Sequence, residues 1–94
     1  MADITVTRGD DVEHLLSRFQ VTVTEGRGST HHDVTLSSAD FERLGASHRS
    51  PEDFVRACFE FLLERESKES ILSSFDISVI GRYFPEFERV IAAR

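Results

Sequence analysis

Phe19-Gln20-Val21-Thr22-Val23-Thr24-Glu25-Gly26-Arg27-Gly28-Ser29-Thr30-His31-His32-Asp33-Val34-Thr35-Leu36 is the stretch that decides the fold. Phe19, Val21 and Val23 alternate with Gln20, Thr22 and Thr24, the period of two that lays one apolar face of a strand on a core. Thr30 to Leu36 alternates again, with His32, Val34 and Leu36 on one face and His31, Asp33 and Thr35 on the other. Between them Gly26-Arg27-Gly28-Ser29 supplies the positive-φ positions of a hairpin loop. Upstream, Ile4-Thr5-Val6-Thr7-Arg8-Gly9 repeats the wording of Val21 to Gly26. That repeat admits a third strand; the other reading makes residues 1–17 a flexible N-terminal segment.

Helix signals fill the rest of the chain. Ser37 is placed to cap the free amide of residue 40, with Leu36 and Phe41 at staple spacing, and Gly45 closes this short helix. Ser50-Pro51-Glu52-Asp53 sets a capping serine before a proline whose missing N–H costs nothing in the first turn, with acids at the positive end of the dipole. The helix to about Arg65 carries Phe54, Val55, Cys58, Phe59, Phe61, Leu62 and Leu63 over more than half its circumference. It must therefore be covered on two sides. Ile71, Leu72 and Phe75 suggest a short helical turn. Asp76 then reads as the N-cap of a helix from Ile77 to about Phe84, and Pro85 opens a last helix with Phe87, Val90 and Ile91 at i, i+3, i+4. The expected architecture is a single α+β domain over 1–94: a small antiparallel sheet packed against three to four helices.

Composition bounds the function. The chain has 94 residues, 39% hydrophobic and 30% charged, which is one ordinary globular core. Its net charge of −6 is shared evenly between residues 1–50 and 51–94 and argues against a general phosphate-binding surface. The longest apolar run, Val90 to Ala93, is far short of the roughly 20 residues of a membrane helix. Met1-Ala2-Asp3-Ile4-Thr5 has neither the basic region nor the apolar stretch of a secretory signal. A lone cysteine, Cys58, forms no intrachain disulfide, and a reducing cytoplasm is the expected location.

The residues that could carry chemistry are few. His31 and His32 are adjacent in a strand, so their rings point to opposite faces and cannot share one ion. His31 and Asp33 do share a face, and His48 could join them from a loop, which defines a metal or small-molecule alternative. His32 on the apolar face would be a proton-sensitive position. Cys58 between Phe54 and Phe61 reads as core rather than nucleophile. No nucleophile elbow, P-loop, dinucleotide fingerprint or EF-hand loop is present, so neither enzymatic activity nor a cofactor is expected. Arg18 and Arg27 are the nearest approach to a basic patch and define a second alternative, nucleic-acid binding, opposed by Asp10, Asp11, Glu13 and Glu25.

The segment Ser50-Pro51-Glu52-Asp53-Phe54-Val55-Arg56-Ala57-Cys58-Phe59-Glu60-Phe61-Leu62-Leu63-Glu64-Arg65-Glu66, with Ser70-Ile71-Leu72 and Phe75-Asp76-Ile77-Ser78-Val79-Ile80 through Tyr83-Phe84-Pro85-Glu86-Phe87-Glu88, resembles a family of short bacterial proteins without an assigned activity. The resemblance covers about Phe19 to Glu88 and implies a shared fold, a β-hairpin followed by helices, with no catalytic motif. Size and element order also resemble the small antitoxins that join a β-hairpin to helices and bind a toxin protein. The expected function is therefore a non-enzymatic adaptor or regulator that binds another protein or itself as a homodimer. Tyr83, Phe84 and Phe87 would form an aromatic anchor cluster, and Thr22 and Thr24 would line a free strand edge.

Overall fold

A computed structural model describes residues 2–10 and 15–94. The hairpin is longer than its apolar pattern alone indicates. Strand β2 (Leu16–Glu25) and strand β3 (Gly28–Ser37) pair antiparallel from Leu16↔Ser37 to Glu25↔Gly28. The loop is therefore the two residues Gly26 and Arg27. Gly26 takes φ +64°, which a residue without Cβ adopts freely at the first position of such a turn.

Strand β1 (Asp3–Arg8) pairs antiparallel with the outer side of β2, setting Ile4 opposite Val23 and Val6 opposite Val21. The repeated Ile-Thr-Val-Thr wording is thus two neighbouring strands sharing one apolar face. Of the expected flexible segment 1–17, residues 3–8 and 16–17 are strand, and residues 1 and 11–14 lie outside the described residues.

The sheet is completed on its other side by strand β4 (Ser74–Asp76), giving the order β1-β2-β3-β4. β4 runs parallel to β3, with Val34 opposite Phe75 and Thr35 opposite Asp76. The sheet is therefore mixed rather than wholly antiparallel. A parallel neighbour needs a crossover of a dozen or more residues, and helices α1 (Ser38–Leu44) and α2 (Pro51–Leu63) supply it. A 3-10 turn at Lys68–Ser70 precedes β4, and another at Ile77–Val79 leads into helix α3 (Ile80–Tyr83); helix α4 (Phe87–Ala93) ends the fold.

Local chemistry explains the boundaries. The Ser37 hydroxyl accepts from the Asp40 amide and the Ser50 hydroxyl from the Asp53 amide, both at 3.1 Å. Asp76 uses both carboxylate oxygens: Oδ1 accepts from Thr35 Oγ1 at 2.5 Å across the sheet, and Oδ2 accepts from the Ser78 amide at 3.0 Å. One side chain thus ties the end of β4 to β3 and starts the next turn. Gly45 closes α1 for a steric reason: a Cβ there would lie 2.5 Å from the Phe41 ring.

All helices lie on one face of the sheet. Phe19, Val21, Val23, Val34 and Leu36 from the strands meet Phe54, Val55, Cys58, Phe59, Phe61 and Leu62 of α2, with Ile77, Ile80, Phe87 and Ile91 closing the far side. The second cover that α2 requires therefore comes from its own chain, through the segments after residue 70. The opposite face of the sheet is polar and meets solvent.

Candidate functional site

The sites expected from the sequence are redistributed by this architecture. Thr22 and Thr24 lie on β2, an inner strand, because β1 occupies the edge they were expected to line. Their hydroxyls turn to β3, at 3.2 Å from His31 Nδ1 and 3.0 Å from Ser29 Oγ. The metal trio does not converge. His31 and Asp33 share the open face, but Asp33 is engaged by Gln20 Nε2 and Arg18 Nε, both at 3.2 Å. His48 lies on the helical side, its ring 5.5 Å from that of Phe54, so the sheet separates it from the other two. Among the described residues no three His, Cys, Asp or Glu side chains gather as a metal site.

Nor do Arg18 and Arg27 form a patch. They sit at opposite ends of the hairpin, roughly 25 Å apart at the ~3.3 Å rise of a strand, and Arg18 is committed to Asp33. No helix of the described residues is long and apolar enough to cross a membrane. Cys58 is completely buried, and desolvation pushes its thiol pKa far up, which removes it from nucleophilic chemistry.

The aromatic cluster around Pro85 splits in two. Phe87 is 1% exposed, with its ring 5.1 Å from that of Phe61, because the i, i+3, i+4 spacing of α4 turns it inward with Ile91. Phe87 is a core residue rather than a surface anchor. Tyr83 is 66% exposed at the end of α3, and Phe84 is half-buried, its ring edge-on to Phe61 at 5.9 Å.

Tyr83 and Phe84 form one wall of an apolar groove between the end of α2, the approach to β4, and α3. Leu62, Ile71, Leu72, Phe75, Val79 and Ile80 line the rest, and Glu66 stands at the rim. A contiguous lobe continues past Ser70. Leu72, 47% exposed, faces Tyr83 across this depression; together they are two of the three exposed large apolar side chains among the described residues.

Leu72 is held in place from beneath by His32. The His32 ring is buried against Phe59 at 5.2 Å, and its Nδ1 lies 2.7 Å from the Leu72 carbonyl oxygen. Since a carbonyl only accepts, Nδ1 carries the proton; Nε2, 2.9 Å from Thr30 Oγ1, then accepts from that hydroxyl in the neutral ring. The Asp33 amide adds a bond to Ser73 O at 2.8 Å. An otherwise irregular segment is thus fastened to β3 at two successive residues.

The opposite wall is fixed by Arg65. Its guanidinium stacks over the Phe61 ring at 3.6 Å and donates to Glu86 Oε2 at 2.9 Å and Glu64 Oε1 at 3.1 Å. These contacts lock the end of α2 to the start of α4. The side chain of Glu66, one residue on, has no hydrogen-bond or ion-pair partner among the described residues, and partial burial raises its carboxyl pKa above the usual value.

Glu66 and Leu72 escape sequence reasoning because their exposure is set by non-local packing. Ile71, Leu72 and Phe75 imitate helical spacing, yet only Ile71 is buried among the three. No family model matches the chain, and no curated protein or solved structure matches it either.

Proposed function

We propose that this chain is a non-enzymatic, cytoplasmic protein-binding module whose groove at Leu72, Tyr83 and Phe84 receives a segment of a second protein. The observation that carries this reading is the pair of exposed side chains, Leu72 and Tyr83, beside a half-buried aromatic, with the Leu72 backbone fastened to His32. Burial of apolar area is what a binding surface gains from, and aromatic anchors fixed beforehand lose little entropy when a partner arrives. The groove offers one carboxylate, its Ser70 hydroxyl lies 3.2 Å from the Ser67 hydroxyl rather than beside a base, and no metal cluster gathers among the described residues, which supports binding over catalysis. A net charge of −6 favours encounter with a basic partner.

Site-specific photo-crosslinking tests the reading. A benzophenone side chain replacing Tyr83 gives a discrete nuclease-resistant protein adduct in the native cytoplasm, lost when Leu72 is changed to Ser. The same probe replacing Thr22, on the open face of the sheet, gives none. Equal adducts at both positions, or none at Tyr83, would overturn the proposal.

A further inference from the structure

The groove also specifies what its occupant carries, an inference that rests on the docking reading above. Glu66 borders both lobes of the depression, beside Leu72, Tyr83 and Phe84. A carboxylate in such a place is usually neutralised by a neighbour, and this region is rich in cations. Three cations of this region are nevertheless already committed. Arg65 is divided between Glu64 and Glu86, Lys68 Nζ lies 2.6 Å from Glu69 Oε2, and Arg94 Nη2 lies 2.6 Å from Glu64 Oε1. Glu66 alone of these acids is left without a cation, so nothing offsets the burial that raises its carboxyl pKa. The neighbouring carboxyls of Glu64, Glu69 and Glu86 are held below the usual range, chiefly by hydrogen bonds from Arg94, Lys68 and Arg65 in turn.

From this juxtaposition we infer that the groove recognises a segment of another protein in which an aromatic or aliphatic anchor is accompanied by a lysine or arginine, the anchor lying between Leu72 and Tyr83 and the cation meeting Glu66. The cation adds discrimination: an acidic segment with the same apolar anchor would set two carboxylates together at the rim. A second copy of this chain fits less well, since both copies carry a net charge of −6.

Two isosteric probes, phenethylammonium and phenylpropionate, separate the possibilities without knowledge of the partner. Each is titrated into the isotope-labelled full chain and followed by the amide and methyl signals of Leu72, Ile80 and Phe84. Phenethylammonium should bind in the millimolar range and about three- to fivefold more tightly than phenylpropionate, the worth of one partly exposed ion pair. Glu66→Gln should remove that preference while leaving the fold and the shifts at Leu72 and Ile80 intact. Equal binding of the two probes in the groove would overturn the cation inference and leave docking standing. Failure of both to shift the groove signals would overturn docking itself. Sedimentation showing a dimer of the free chain that Tyr83→Ser dissociates would also overturn the inference, by making a second copy the occupant.

Discussion

The two exposed regions of this molecule handle their surface chemistry in opposite ways. On the open face of the sheet, polar side chains satisfy one another across the strands: Thr22 with His31, Thr24 with Ser29, Gln20 and Arg18 with Asp33, and Thr35 with Asp76. Nothing there is gained by excluding water. In the groove, by contrast, Leu72 and Tyr83 stay in water and the Glu66 carboxylate stays unpaired. An open face can persist at no cost, whereas an exposed apolar wall carries a standing cost that a bound partner removes. The difference teaches that the open face of a two-layer fold can satisfy itself, and it is why the proposed docking is assigned to the groove instead.

His32 fastens the groove segment to β3, the strand whose other face carries His31 and Asp33, so removing it should break the comparison most severely. His32→Ala leaves the Leu72 carbonyl and the Thr30 hydroxyl without partners and opens a gap beside Phe59. The expected loss is about 2–4 kcal/mol in urea unfolding, from unsatisfied polar groups plus lost packing. His32→Asn, whose amide N–H can stand where Nδ1–H does, should recover part of it. Hydrogen exchange should rise first at Ile71 to Phe75, with the hairpin end near Gly26 still protected.

How much of this was legible beforehand depends on how local the cause was. Ser37, Ser50 and Asp76 act within three residues of themselves, so their capping roles could be read directly from the sequence. The hairpin and the apolar face of α2 were equally open, because period and turn chemistry are properties of short windows, whereas the like-worded stretch at Ile4 admitted either a strand or a flexible segment until its pairing with β2 decided it. β4 was hidden. Ser74, Phe75 and Asp76 have no strand pattern of their own and become a strand through the free side of β3, forty residues earlier in the chain. The same non-locality hid the groove: Leu72 is turned outward by a histidine on β3, and Glu66 is left unpaired because its neighbours take the available cations. Phe87 was expected as a surface anchor with Tyr83 and Phe84 and is core instead, the side its i, i+3, i+4 relation to Val90 and Ile91 favours.

A smaller effect sharpens the groove side. Gly81 has an ordinary backbone conformation within α3, and a Cβ there would meet only the Glu88 side chain, at 3.9 Å. Gly81→Ala should therefore stabilise the protein by about 0.4–1 kcal/mol through the unfolded chain. It should leave probe binding at Leu72 unchanged or modestly tighter. A loss of stability on thermal unfolding would mean that another backbone approaches α3 more closely than this fold has it.

Glu66 gives a pH signature opposite to that of its neighbours. Burial holds its carboxyl above the ordinary value near 4.5, so the folded protein binds that proton more tightly than the unfolded chain. Stability from this group is then present at low pH and declines as pH rises through the interval just above 4.5. Glu64, Glu69 and Glu86, lowered by Arg94, Lys68 and Arg65, act in reverse: their contribution is present above the ordinary value and declines as pH falls below it. Subtracting the Glu66→Gln stability profile from that of the native protein should leave only the first slope. A difference profile that is flat between pH 4 and pH 7, an interval set by the ordinary glutamate value of about 4.3, would mean that Glu66 is solvated like any surface acid.

The smallest expected effect lies on the open face and is the sharpest test of the contrast. Thr22→Val removes the hydroxyl that meets His31 Nδ1 at 3.2 Å but keeps the β-branched shape on an inner strand. The hydrogen bond is exposed and water replaces it, while valine fits a pleated surface at least as well as threonine. Stability by urea unfolding should stay within about 0.5 kcal/mol of the native value, and groove binding should not change. If the open face were the docking surface, the same substitution would alter partner capture more than Leu72→Ser does, and the roles assigned to the two regions would have to be exchanged.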